Sequence, residues 1–404
     1  MKVLVINTGS SSFKYQLIDM PMEQVLVSGL VERIGEEVGQ MVHKIYPNTS
    51  QEKKYTTTQP FSTHVEGMQA VVAELINPKH GILHSVKEIY AIGHRVVMGG
   101  ETMKHPALIN QHVKNIIREC AIFSPLHNLS HLAGIETAEE LFPGIPNVAV
   151  FDSEFHQTMP KVAYLYPLPY DIYDDYKIRR YGFHGTSHRY VAQQTANFLN
   201  RPIKELNFIT CHLGNGCSMT AIKNGKSIDT SMGLTPLDGL MMGTRCGDID
   251  PAIVPFLIEK TEKSAKDVDE LMNKQSGLKG ICGMNDMRDI HEACAQGNAK
   301  AQLALDMFIY RIKKYLGAYY AILGHLDGII FTAGIGENDT IVREKVCSGL
   351  ENLGIFLDSS RNNTHSSTLR LISTDNSPIP IFVVPTNEEL EIAKLTIQLV
   401  SNTQ

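Results

Sequence analysis

One arrangement occurs twice in this chain, and it narrows the folds open to it. A β-branched run at residues 3–6 enters Asn7-Thr8-Gly9-Ser10-Ser11-Ser12, and a second run at 13–18 leaves it. The same order of strand, glycine turn and strand recurs at 208–211, Gly214-Asn215-Gly216 and 218–222. Asn224-Gly225 then supplies the pair that a two-residue type I′ hairpin needs. Laying Gly9 on Gly214, an offset of 205 residues, also lays Ile6 on Cys211 and Leu17 on Ile222. That offset is about half of 404 residues, so two related halves are expected. Glycines at such a tip let backbone N–H groups approach an anion, most often phosphate. A single turn of this kind reads as an ordinary hairpin; the pair favours a phosphate clamp.

Composition removes several classes. A length of 404 residues suits two or three domains. With 43% hydrophobic and 20% charged residues the chain reads as globular, and a net charge of −6 gives no footprint for nucleic acid. No apolar run reaches membrane-spanning length, and the apolar start is too short for a signal-peptide core. Seven cysteines, an odd number with no C-x-x-C pair, fit reduced thiols in a cytoplasm better than a disulfide framework or a zinc site.

Several positions along the chain have chemistry to offer. Asn7 is a neutral oxygen ligand suited to magnesium or its waters, and Lys14, just past the serines, has the reach for a phosphate. The period near 3.6 at 64–75 predicts a helix; 89–92 reads as a strand ending in Gly93-His94-Arg95. There Arg95 suits a carboxylate or phosphate, the plain reading being a surface ion pair. His127 and His131 have zinc-like spacing without a third ligand, so a core or capping role is favoured. Asp152 follows the strand 148–151, where α/β enzymes place working acids or where it caps a turn.

His184 and His188 imitate a zinc-protease spacing, but Gly185 stands where that motif needs its glutamate. His184 beside a helix start is instead placed to donate to an anion. The glycine-rich segment 230–251 carries Arg245, and Asp250-Pro251 is expected to start a helix. Gly334-Ile335-Gly336 follows the strand 327–332, a nucleotide-type turn that is weak alone. Thr386 to Glu389 reads as a capping box for the last helix, with Glu388 available as a dipole partner or metal ligand. Three glycine turns, two oxygen ligands and two arginines fit a nucleotide phosphoryl-transfer site, though the Walker and protein-kinase motifs are absent. The residues alone stop at an ATP-using enzyme or ATP-driven machine of two related halves.

The motifs taken together resemble the acetate/propionate kinase family. They are N-T-G-S-S-S-F-K at 7–14, G-H-R-V-V at 93–97, P-L-H-N at 125–128, V-F-D at 150–152, G-F-H-G-T-S-H at 182–188 and H-L-G-N-G at 212–216. D-T-S-M-G-L-T-P-L at 229–237, G-T-R at 243–245, G-D-I-D-P at 247–251, G-I-G-E-N at 334–338 and P-T-N-E-E at 385–389 complete the series in family order.

The resemblance implies an α/β fold of two duplicated ribonuclease-H-like domains, of the actin and sugar-kinase type, with a cleft between them. The expected domains are 1–151, with the helix 390–404 packing back on it, and a nucleotide-binding 152–389. It further implies a cytoplasmic homodimer that moves the γ-phosphoryl group of ATP reversibly to acetate or a related short-chain carboxylate. The metal would be Mg2+, with Mn2+ an acceptable substitute. Asn7 and Glu388 would hold the metal and Lys14 would approach the phosphates. His212, Leu213, Gly214, Asn215, Gly216, Asp286, Met287, Arg288, Gly334, Ile335, Gly336, Glu337 and Asn338 would bind ATP or ADP. Arg95 would bind the carboxylate, with Val97, Leu126, Phe183 and Pro236 around its methyl end. His184 and Arg245 would stabilise the moving phosphoryl group, and Asp152 occupies the family's acid/base position.

Met98, Leu129, Glu154 and Cys246 depart from the usual pattern. None removes a named site residue, but Met98 and Cys246 adjoin the arginines and bear on affinity. Acetate is ionised at neutral pH, so Asp152 is better read as orienting an arginine or the metal than as a base. The rival readings are propionate kinase, and an ATP-driven binding protein on the same fold.

Overall fold

The computed structural model describes residues 1–403, the side chains of Pro125 and Leu126 excepted; the expected pocket residue Leu126 thus lies outside the described residues. Two compact units divide the chain, Met1–Glu154 with Asn387–Gln404, and Phe155–Thr386. The first holds eight strands: β1 Lys2–Thr8, β2 Ser12–Asp19, β3 Gln24–Glu32, β4 Gly39–Ile45, β5 Lys53–Gln59, β6 Ile89–Val96, β7 Ala107–Leu108 and β8 Asn147–Phe151. The second holds six: β9 Asn207–Leu213, β10 Cys217–Lys223, β11 Lys226–Thr230, β12 Gly328–Thr332, β13 Arg370–Leu371 and β14 Ile381–Val383.

The sheet orders are β5-β4-β3-β2-β1-β6-β8-β7 and β11-β10-β9-β12-β14-β13. Within them, β3-β2-β1 and β11-β10-β9 are antiparallel meanders, and β6-β8 and β12-β14 add in parallel beside β1 and β9. The same five-strand pattern is therefore built twice, once from each half. β1 starts at Lys2 and β9 at Asn207, so the first strands keep the offset of 205.

After the turn the register changes. Thr8 pairs with Phe13, but Leu213 pairs with Cys217, so the second turn is one residue shorter. Leu17, opposite Leu4, therefore corresponds to Ala221, opposite Ile209, rather than to Ile222. Beyond it, Asn224 and Gly225 have φ of 53° and 75°, the positive pair a type I′ turn requires.

The first sheet is covered on both faces. Leu4, Ile6, Phe13 and Tyr15 pack with Met68, Val71 and Leu75 of the helix His64–Leu75, whose span is the one the periodicity predicts. The helix Glu388–Thr403 packs against β1, β6 and β8. Burying each large apolar side chain contributes roughly 1.5–3 kcal/mol, which is why β1 reads as an unbroken apolar run rather than an alternating one. In the second unit Val191, Ala192 and Ala196 of the helix Gly185–Phe198 pack on Phe208, Ile222, Ile330 and Phe382.

Three local readings change. β6 runs through to Val96 instead of stopping at Ile92. Gly93 is there for closeness, not for a turn: a Cβ on it would lie 2.5 Å from Thr396 Oγ1 and 2.7 Å from Ile392 Cγ2 of the C-terminal helix. The helix expected at Pro251 begins at Ile253 and ends at Thr261, because the Asp250 carboxylate accepts from Ala252 N (2.9 Å) in a preceding turn. The last helix is capped by Asn387, whose Oδ1 accepts from Leu390 N at 3.0 Å, while Thr386 N donates to Glu337 instead.

Candidate active site

In the first unit the parallel strands β1, β6 and β8 end on one sheet edge, and the chemistry collects there. Arg95 Nη2 donates to Asp152 Oδ2 at 3.0 Å; the Asp152 side chain is 1% exposed and that of Arg95 18%. Arg95 Nε is a buried donor with no partner. Burial works against the Arg95 charge, but Asp152, Glu388 and Glu389 outweigh it and hold the guanidinium above its ordinary value. Burial lifts the Glu388 carboxyl to about 7; Asp152 and Glu389 add to the rise, and Arg95 and Lys14 oppose it. Asn7 faces Lys14 across the β1–β2 pair. Three carboxylates thus share two cations.

Val97, 4% exposed, is fixed through its backbone: its N–H donates to His131 Nδ1 at 3.3 Å. Asn128, fully buried, accepts from Met98 N and donates to Met98 O at 3.2 and 2.9 Å. Burial drives His131 down to about 3, with Arg95 adding to the fall. The core reading of His131 is therefore the right one, with the specific duty of holding the chain beside Arg95.

The second unit carries a different cluster. His184, at φ 56°, immediately precedes the helix Gly185–Phe198. Its ring stacks on His212, 4.1 Å between centroids, and its Nδ1 lies 2.9 Å from Ser218 Oγ. His212 Nδ1 meets Ser187 Oγ at 2.8 Å, and Ser187 Oγ meets Thr386 Oγ1 at 2.8 Å. His156 Nε2 donates to Phe183 O at 2.9 Å, steadying the residue before His184. A Cβ on Gly216 would lie 3.4 Å from Arg245 Nη1 and 3.6 Å from His184 Cε1, so the glycine turn, the arginine and the histidine converge on one point. Arg245 donates to Pro236 O at 3.1 Å, and among the described residues it has no carboxylate partner. Burial lowers its pKa, Cys217 working the other way.

Beside this cluster, still within the second unit, lies a pocket of about 710 Å³, a volume suited to a nucleotide. Gly214, Asn215, Asp286, Met287, Arg288, Gly334, Ile335 and Asn338 line it as expected. Gly336 and Glu337 sit behind the wall: Glu337 Oε1 accepts from Ala333 N and Thr386 N at 2.9 and 3.0 Å, tying the β12 turn to the end of β14. Leu213 is fully buried and offers only backbone. Asp286 and Arg288 form a bidentate pair at the pocket rim.

Sequence reasoning missed Asn285, His291, Asp339, Thr340 and Ile341 in this wall. Asp339 left a trace, since it caps the helix Thr340–Cys347. His291, 2.7 Å from Asp339 Oδ2, left none. Ser218 was hidden as one more small residue in an apolar strand. All seven cysteines are free thiols, and no helix among the described residues is long and apolar enough to cross a membrane.

Residues 2–394 match the model of the acetokinase family. An acetate kinase of Oleidesulfovibrio alaskensis is 61% identical over 399 residues, covering 99% of both chains. The crystal structure of Porphyromonas gingivalis acetate kinase superposes with a TM-score of 0.93 at 43% identity, over 99% of each chain. A propionate kinase from Francisella tularensis gives 0.91 at 42% identity, over 98% of this chain and 99% of that one. A match of this extent to the family model, on a fold built twice from the same five-strand pattern, leaves one assignment: the chain belongs to the acetokinase family and is a phosphotransferase with a carboxylate as acceptor.

Proposed function

We propose that the chain transfers the γ-phosphoryl group of ATP to acetate, reversibly, giving acetyl phosphate and ADP. The observation that carries this is Arg95, a largely buried cation paired with Asp152 through Nη2, whose Nε is a buried donor still without an acceptor. Arg95 binds the carboxylate, and Asp152 orients the guanidinium rather than removing a proton, since acetate is already ionised at pH 7. Val97 bounds the methyl end in the first unit; Phe183 and Pro236 are assigned the same duty in the second. In the second unit the pocket holds the nucleotide, and Lys14 is assigned to nucleotide phosphates. Arg245 and His184 stabilise charge on the transferring group, each donor of this kind being worth roughly 3–4 kcal/mol.

The donors suit a hard cation. Asn7 and Glu388 offer oxygen only, and burial raises the Glu388 carboxyl, a cost that a divalent ion such as magnesium at that carboxylate would offset. When bound, the ion screens the phosphates from the incoming carboxylate. The homodimer belongs to the same reading through the family resemblance; Val162, Tyr170 and Tyr176 are apolar side chains exposed within one stretch of the second unit and are the residues to test for it. Free thiols throughout support a cytoplasmic setting.

A second reading, propionate as the preferred acceptor, draws on the propionate kinase likeness. Branched Val97 favours the shorter chain, and one methylene is worth about 1–3 kcal/mol in an apolar pocket. The test is kcat/KM for acetate, propionate and butyrate, with acyl phosphate trapped as hydroxamate. Acetate leading by about tenfold is the expected result; ATP hydrolysis without acyl phosphate overturns the assignment.

A further inference from the structure

Between β11 and the helix Ile253–Thr261, residues 231–252 form neither helix nor strand, yet this stretch brings Arg245 to the Gly216 turn. A loop of that length keeps its conformational freedom unless bonds close it. Its closure is at Asp248. The Asp248 N–H donates to Gly239 O at 2.9 Å, and Asp248 Oδ1 accepts from Gly239 N at 2.8 Å. Residues 239–248 are thus a loop shut at its base by a reciprocal pair of bonds. The crossing is tight: Gly239 and Gly247 have φ of 100° and 68°, and a Cβ on Gly247 would strike Gly239 O and Leu240 O. The base is docked on the helix Ala299–Leu323, where Tyr315 Oη donates to Asp248 Oδ2 at 2.8 Å and Arg311 Nη1 to Asp248 O at 3.3 Å.

Arg245 lies inside this loop, and its guanidinium donates to Pro236 O, outside it. Gly239 is where the two parts meet. The arm before it is fixed by Arg180, whose Nη1 faces Asp238 Oδ2 at 3.2 Å and the carbonyls of Ser231 and Met232 at 2.8 and 3.0 Å. The far end of the loop is fixed through its backbone: Gly243 N donates to Asn215 O at 3.1 Å, and Leu278 N to Met242 O at 2.9 Å. Neither set of bonds sets the arm carrying Pro236 against the loop carrying Arg245. The bonds between Gly239 and Asp248 do.

We infer that Asp248 is a positioning residue for Arg245: by closing the base of 239–248 onto Tyr315 it holds the guanidinium against Pro236 and beside the Gly216 turn. The inference rests on the phosphoryl-transfer reading of Arg245. Its consequence is a defect in rate rather than in binding. A guanidinium displaced by about 1 Å loses on the order of a hundredfold in rate, because its bonds to the developing charge are the ones that depend on geometry. Binding of acetate and ATP before the transfer, which other residues carry, is spared.

The test is a double-mutant cycle on turnover, run well below the thermal midpoint of each variant. Asp248→Ala should lower kcat about 10- to 100-fold, with KM for acetate and ATP within about threefold of wild type. Placed on Arg245→Ala, the same change should lower kcat by less than about threefold more, because the group it positions is already gone. Asp248→Asn, which keeps an oxygen for Gly239 N, should recover most of the loss. A loss that multiplies in full on Arg245→Ala is what a purely structural role gives, and it overturns the inference. So does Asp248→Ala with wild-type turnover. If Asp248→Ala fails to fold, Tyr315→Phe carries the test, with kcat about 3- to 10-fold down alone and no further loss on Arg245→Ala. Wild-type turnover in Tyr315→Phe, or full multiplication, then overturns it. A slow Arg245→Ala beside a fast Asp248→Ala strikes this inference alone, whereas a fast Arg245→Ala strikes the functional reading and the inference with it.

Discussion

The two glycine turns grow from the same five-strand framework yet are surrounded by opposite chemistry. Around Asn7 and Gly9 the neighbours are charged: Arg95 and Lys14 set against Asp152, Glu388 and Glu389. Around Gly214 and Gly216 they are rings and hydroxyls: His184, His188 and His212 bridged by Ser187 and Ser218, with Arg245 paired to no carboxylate among the described residues. The backbone supplies a turn at a sheet edge in both units. What that turn is for is decided by what the other strand ends and helix starts bring to it. On the proposed reading, carboxylates in the first unit balance a metal and an anion-binding arginine, whereas none of the described carboxylates pairs with Arg245 in the second.

This contrast can be attacked directly. Arg245→Ala should have the largest effect, lowering kcat by about 10²–10³ while leaving the thermal midpoint nearly unchanged, because no ion pair is broken. Near-wild-type turnover would mean the second cluster is only structural. Glu388→Gln keeps the shape and removes the charge. The divalent-ion concentration needed for half-maximal rate should rise about tenfold or more, with ATP affinity in the absence of metal unaffected; an unchanged metal requirement would remove Glu388 as a ligand.

Gly93→Ala probes the fold rather than the chemistry. The added methyl meets Thr396 and Ile392, and overpacking of this kind costs about 1–3 kcal/mol in urea unfolding. The last effect concerns acid. Burial lowers the pKa of His43 to about 4, with His80 adding to and Glu74 opposing the shift. The folded state keeps this ring neutral while the unfolded chain takes up a proton near 6.5, so stability is whole above that pH and declines as pH falls toward 4. The loss from this residue amounts to roughly 3 kcal/mol, readable as a falling urea midpoint across that window that is shallower in His43→Asn; the buried His94 and His131 rings, held down to about 4 and about 3, keep the remaining slope.

Much of this was legible in the sequence because it is carried by local pattern. Gly9 and Gly214 mark their turns, the 205-residue offset marks the duplication, and the run at 64–75 marks its helix. Arg95, Asp152 and Glu388 stand at element ends, where spacing gives them away. What stayed hidden depends on distance across the fold. Gly93 looked like a strand terminator until the helix packed on it came into view. The one-residue difference between the turns was invisible because apolar strands align equally well in either register. His291 and Ser218 have no local signature: each matters only for the group opposite it, Asp339 in one case and two histidines in the other.

The division of labour between the two turns is the central claim, and Arg95→Ala tests it most directly when ADP binding and acetate kinetics are measured on the same sample. ADP should bind within about twofold of wild type by calorimetry, while kcat/KM for acetate falls by 10² or more. A comparable loss in ADP affinity, or acetate kinetics left intact, would contradict the assignment of the carboxylate to Arg95 and the nucleotide to the second unit.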